Sequence, residues 1–180
     1  MATTTLGMLG VLLIAVASSG ATSDRFNVQQ LAGKWYSIRS SSNAPWFVRL
    51  KDRLSMEEII VTPQPSGDIL LETTFLSEDG SCRKLSDMAS KTSIPGRFTF
   101  YVEKYGTTNV FQVLDMKADE YVIAYFIVSD EEDRNYTISR LMTRKKEAKA
   151  EVIEKFKTIT EEQGIKSENT AILSKFEGCN

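Results

Sequence analysis

The 180-residue sequence predicts an all-β protein. We expect an eight-stranded antiparallel up-and-down β-barrel with one flanking α-helix near the C-terminus. Three observations predict it. Short runs of strand character follow one another between turn signals at hairpin spacing. No βαβ rhythm separates them, so a parallel sheet is disfavoured. The hydrophobic period then switches to that of a helix over 145–164.

The chain opens "MATTTLGMLGVLLIAVASSGATS". Its apolar run, Leu6 to Ala17, is too short for a membrane span, and the small residues after it suit signal-peptidase cleavage. We expect a leader over 1–21, cut between Ser19 and Ser23, and one secreted domain over 22–180. "KWYSIRS" (34–40) is the first strand. A polar loop, "SSNAPWFVRLKD", leads to "RLSMEEIIVT" (53–62). "PQPSGD" turns the chain into "ILLETTF" (69–75), and "LSEDGS" into "CRKLSDMA" (82–89). "IPG" precedes "RFTFYVEK" (97–104), "YGTT" precedes "NVFQVLD" (109–115), and "MKAD" precedes "EYVIAYFIV" (120–128). The acidic turn "SDEEDR" gives "NYTISRLMT" (135–143). Within 145–164, Ala148, Val152, Ile153, Phe156 and Ile159 recur at spacings of three and four, and Gly164 stands where a C-terminal cap belongs. "TAIL" (170–173) offers a last short strand.

Composition narrows the chemistry. A net charge of −2 recruits neither nucleic acid nor anionic membrane. Histidine is absent, which removes the commonest general base, the usual nucleophile partners and the usual zinc ligand. We expect no cofactor and no metal. The two cysteines, Cys82 and Cys179, form a disulfide by default in a secreted chain; two free thiols are the alternative. "NYT" at Asn135 is a glycosylation sequon in a surface hairpin.

Alternation separates the strand faces. Ile69, Leu71, Thr73 and Phe75 form the more apolar face of their run, and Phe111 and Val113 alternate with Val110 and Gln112. Both faces of 121–126 are apolar: Val122, Ala124 and Phe126 on one, Tyr121, Ile123 and Tyr125 on the other. That suits a strand with the barrel interior on one side and the helix on the other. Whether the interior is a cavity or solid core stays open at this point. In "LSMEEIIV" (54–61), Glu57 and Glu58 are adjacent, so on a regular strand they face opposite ways and cannot flank one substrate atom. One faces solvent; the inward one needs a cationic partner, because an unpaired buried carboxylate is costly.

"LAGKWYSI" carries Gly33, Lys34 and Trp35 and resembles the G-x-W motif of the lipocalins. In that family the Trp closes the barrel base beneath an Arg at the end of the eighth strand, which here would be Arg144 in "LMTRKKE". "ADEYVIAY" is similar to the second family motif, with Asp119 and Tyr121 present and Ala118 in place of Thr. The resemblance implies a cup that binds a small hydrophobic ligand such as a retinoid, a fatty acid or a prostanoid. It makes "SSNAPWFVRL" a lid loop, with Trp46 and Phe47 over the ligand or packed on the rim, and Tyr105 at the same mouth.

Matching "LMTR" to the family pattern turns Tyr136, Ile138, Arg140 and Met142 inward. The expected lining is then Met56, Ile59, Leu71, Phe75, Phe100, Val102, Phe111, Val113, Ala124, Phe126, Ile138 and Met142, with Tyr136 and Arg140 orienting the ligand. Three readings of Arg140 remain: a ligand anchor, a salt bridge to Glu57 or Glu58, or a solvated side chain. Within the lipocalins the prostaglandin-D synthase branch is most similar. There Ser37 matches a supporting serine, and Glu57 falls where that branch carries a catalytic cysteine. A carboxylate is a far poorer nucleophile toward a peroxide oxygen than a thiolate, so we expect no enzyme. The alternatives are an isomerase of that branch, or a module whose loops contact a protein such as a cell-surface receptor.

Overall fold

The computed structural model describes residues 26–77, 79–132, 134–173 and 179. The expected leader lies outside these residues. Nine strands follow in chain order: β1 (Gly33–Ser42), β2 (Glu57–Pro63), β3 (Ile69–Leu76), β4 (Cys82–Lys91), β5 (Arg97–Val102), β6 (Thr107–Lys117), β7 (Tyr121–Ser129), β8 (Asn135–Thr143) and β9 (Thr170–Ile172). Each of β1 to β7 pairs antiparallel with the next, and β1 returns to pair with β8, closing an eight-strand barrel. The ninth strand adds to the outside of β1.

Closure depends on β1 changing partners along its length. Gly33–Ser37 pair with β2, whereas Arg39–Ser41 pair with β9. The register against β8 shifts between Ser37 and Arg39, a bulge that bends the strand where it leaves β2. By contrast, β4 and β5 share only two register pairs, Ser90–Thr99 and Lys91–Phe98.

Two helices complete the fold, α1 (Pro45–Leu50) and α2 (Ala150–Glu162). The first corrects the expected loop at 41–52: Pro45 at the first turn pre-sets the backbone, and buried Phe47 anchors the helix. The second starts later than expected, after Lys149; Ala148 packs on the outer cluster from the segment before it, and Val152 and Phe156 bury from the helix itself. It ends in a Schellman motif. Gly164, at φ +74°, donates to the Glu161 carbonyl, and Ile165 reaches back to Thr160.

The core is split by the barrel wall. Inside, Trp35, Ile59, Val61, Ile69, Phe98, Phe111, Val122 and Met142 form one cluster. Outside, Val152 and Phe156 of α2 join Ile38, Tyr121, Ile123 and Leu141 in a second. Thus β7 is apolar on both faces for the reason its sequence pattern implied. Burying Phe156 alone removes about 1.5–3 kcal/mol of apolar exposure. Beside it the Lys155 ammonium lies 2.9 Å from Asp115 Oδ2 and donates to the Tyr121 hydroxyl at 2.9 Å, tying helix to sheet. The disulfide joins Cys82 at the start of β4 to Cys179.

Candidate functional site

The closed end of the barrel is built on Trp35. Its indole Nε1 donates to the Leu31 carbonyl at 2.7 Å, and its ring is covered by the Arg144 guanidinium, 3.5 Å from the centroid. Arg144 donates from Nε to the Ala118 carbonyl at 2.9 Å and from Nη1 to the Lys34 carbonyl at 2.9 Å. Burial lowers its pKa from the ordinary arginine value. Gly33 is required here: at φ +93°, any Cβ would sit 3.4 Å from Arg144 Nη1. Phe26 packs edge-on to Phe98 at the same end, 6.2 Å between centroids.

Above this plug the interior is hollow. A cavity of about 670 Å³ is lined by apolar side chains from all eight barrel strands, with α1 at its mouth. The volume is that of a site for one small molecule. Phe111 and Phe126 lie 5.1 Å apart along one wall, and Trp46 of α1 meets Tyr136 of β8 edge-on at 6.3 Å.

The charged side chains of the lining are Arg53, Glu57, Asp87, Asp130, Arg134 and Arg140. Arg140 donates from Nη1 to Glu57 Oε2, and its guanidinium also lies 5.0 Å from the centre of the Phe126 ring. The side chains are about a quarter and a fifth exposed. The neighbouring Glu58 faces the other way and pairs with Lys34 at 3.0 Å, so the two carboxylates are divided by the sheet. Ser37, opposite Glu57 in the β1–β2 ladder, is fully buried, and its hydroxyl has no partner among the described residues. Across the cavity stands Asp87 of β4, whose carboxyl is raised above the usual aspartate value by burial alone. No group of three or more metal-ligating side chains occurs among the described residues.

Residues 32–176 match the pattern described as the lipocalin / cytosolic fatty-acid binding protein family. The chain belongs to that family.

A protein named lipocalin from Rhinella marina is 34% identical over 154 residues, covering 86% of this chain and 83% of the relative. Prostaglandin-H2 D-isomerase from Felis catus is 28% identical over 174 residues, covering 97% and 91%. The solved structure of the siderocalin Ex-FABP superposes with a TM-score of 0.73 at 24% identity, over 83% of this chain and 97% of the other, and so is alike in fold. Lipocalins bind small hydrophobic ligands and are typically secreted. No described helix of this lipocalin is long and apolar enough to cross a membrane.

Most of the expected lining residues of this lipocalin face the cavity: Ser37, Trp46, Ile59, Leu71, Phe75, Phe100, Val102, Phe111, Phe126, Tyr136, Ile138, Arg140 and Met142. Three do not. Met56 cannot share a face with Ile59, three residues on, and it packs in the outer cluster with Phe47. Val113 sits in the plug end of the inner cluster, beside the β6 register shift. Ala124 is fully buried in that cluster, and its single methyl does not reach the cavity. Asp87 was missed. In "CRKLSDMA" it is Met88 that faces solvent, half exposed, and the polar Asp87 that turns inward opposite Leu71. Only the inward setting of Leu71, carried across the ladder, would have found it.

Proposed function

We propose that this lipocalin is a secreted carrier that encloses one small hydrophobic ligand in its barrel. The observation that supports the reading is the 670 Å³ apolar cavity sealed below by Trp35 and Arg144 and fronted by α1. Removal of apolar ligand surface from water supplies most of the affinity. Arg140 meets the ligand as half of an ion pair with Glu57 rather than as a free cation, so a ligand carboxylate would have to compete with Glu57. Residues 1–21 are the leader in this reading, and Asn135, exposed at the start of β8, is the glycan acceptor.

Isomerase relatives raise a second reading. Against it, both cysteines of the sequence are in the disulfide, and Glu57 stands at the position that the resemblance gives to a nucleophilic cysteine. A thiolate route therefore has no group to use.

The test is a titration of residues 22–180 with retinoids, fatty acids and prostanoids, followed by quenching of Trp46, with Trp35 as a static background. Saturable submicromolar binding supports the carrier. A flat response to every apolar probe excludes it. Incubation with a prostaglandin endoperoxide gives only spontaneous products if the carrier reading holds; catalysed turnover would establish the isomerase instead.

A further inference from the structure

Six charged side chains line the cavity, Arg53, Arg134 and Arg140 on one hand and Glu57, Asp87 and Asp130 on the other. Arg140 and Glu57 neutralise each other on the β2–β8 side. At the mouth Arg134 is held by Asp130, 2.8 Å away, and by Glu132 at 3.0 Å. Asp87 is different. It lines the cavity from β4, which stands four strands from β8 in either direction round the closed ring. Among the described residues no donor and no basic side chain meets its carboxylate, and its neighbours on the inner wall are Leu71 of β3 and Leu85 and Ala89 of its own strand. A carboxylate partly buried in an apolar wall loses some of its hydration, and a cation in the cavity would answer it.

We propose that Asp87 receives a protonated amine, and that the ligand of this cavity is an apolar amine with its ammonium on Asp87 and its hydrocarbon or aromatic body along Phe100, Phe111 and Phe126. The inference rests on the carrier reading and refines it by naming the head group. Three features favour a cation over an acid. The inner-wall neighbours of Asp87, namely Leu71, Leu85 and Ala89, carry no charge, so beside it an anionic head is repelled and a cationic one attracted. Glu57 already takes Arg140 Nη1, so an acid approaching the buried Nε, which has no partner among the described residues, would meet the Glu57 carboxylate as well. The aromatic faces along the wall accept a cation nearby at little penalty, as Phe126 already does for Arg140. The unpartnered hydroxyl of Ser37, fully buried on the opposite side, can serve a neutral polar group at the far end of the same ligand.

The experiment compares three probes of one chain length, dodecylamine, dodecanol and dodecanoic acid, titrated calorimetrically into residues 22–180 at pH 7 and low ionic strength. We expect the amine to bind at least tenfold tighter than the acid, with the alcohol between. In Asp87→Asn, an isosteric change at a partly exposed site that leaves the fold intact by circular dichroism, the amine should lose at least tenfold while the alcohol changes less than twofold. Asp87→Glu should restore part of the loss. Binding of all three probes with no preference for the amine, or a preference indifferent to Asp87→Asn, overturns the assignment and leaves the carrier standing. Failure of all three probes to bind overturns both.

Discussion

Glu57 of β2 and Arg140 of β8 form an ion pair inside the barrel that reaches across the intervening β1. The two residues lie 83 apart in sequence and meet because β1 pairs with both strands. The pair is a cross-brace on the seam where the barrel closes, and it also sets the charge that a ligand encounters.

Breaking the brace from one side should therefore do two things. Glu57→Gln leaves a half-buried guanidinium short of its anion and should destabilise the fold by about 1–3 kcal/mol in urea denaturation. It also frees Arg140, so dodecanoic acid should bind about tenfold tighter than to the parent protein, a shift of about 1.4 kcal/mol. In the double variant with Arg140→Met the stability loss should be smaller than the sum of the single losses. Additive losses would show that the two side chains act separately.

Arg144 is the second brace. It stacks on Trp35 and donates to backbone carbonyls of Ala118 and Lys34. Arg144→Ala should cost about 2–4 kcal/mol, because those carbonyls lose a charged donor and the indole loses its cover. Arg144→Lys should recover less than half of that, since an ammonium cannot fork between carbonyls while lying flat on the ring. Full recovery by Lys, measured as the denaturation midpoint, would mean that charge alone matters.

The helix clamp predicts an alkaline transition. The Lys155 ammonium is held above its ordinary pKa of 10.5 chiefly by its bond to Asp115, then by Tyr121, while burial raises the Tyr121 phenol. A raised folded pKa means that the contribution is complete below about pH 10.5 and fades as pH rises further. Lys155→Met should remove this pH dependence and lower Tm across the neutral range. An identical alkaline loss in the variant would place the transition elsewhere.

Reduction of the Cys82–Cys179 bridge opens a loop of 97 residues. The chain-entropy account assigns such a loop roughly 4–5 kcal/mol. Thermal melts with and without reductant should differ accordingly, with the cavity still able to bind probes below the lowered Tm. Unchanged melting would mean that the reduced, unfolded chain keeps its ends together.

Much of this architecture was legible in the sequence because it rests on local period. Ile69, Leu71, Thr73 and Phe75 face the cavity as their alternation required, and the two apolar faces of β7 meet the two clusters. Trp35 and Arg144 were legible through their motifs. What escaped had no local period to carry it. The helix at Pro45–Leu50 is too short to repeat, and its formation depends on Phe47 finding the outer cluster. An apolar residue just before a strand looks like part of it, yet the parity of Met56 opposes Ile59 and it packs in the outer cluster. The choice between ligand anchor and salt bridge for Arg140 was a question of distance between β2 and β8, which no single strand's pattern contains. For Asp87, the hydrophobic rule pointed to Met88 instead.

The partner changes along β1 have a consequence for how the protein is made. During synthesis β1 and β2 leave the ribosome early, and the β1–β2 hairpin can zip locally. The upper half of β1 has no neighbour until Ile138–Met142 emerge, about a hundred residues later, and β9 follows later still. Until then Ser40, Ser41 and Ser42 present an open strand edge whose backbone groups find only water. Closure is therefore a late, long-range event, and loop-closure entropy makes such events slow. Small polar side chains on that waiting edge give it little to stick with: three serines occupy the stretch that stays exposed longest.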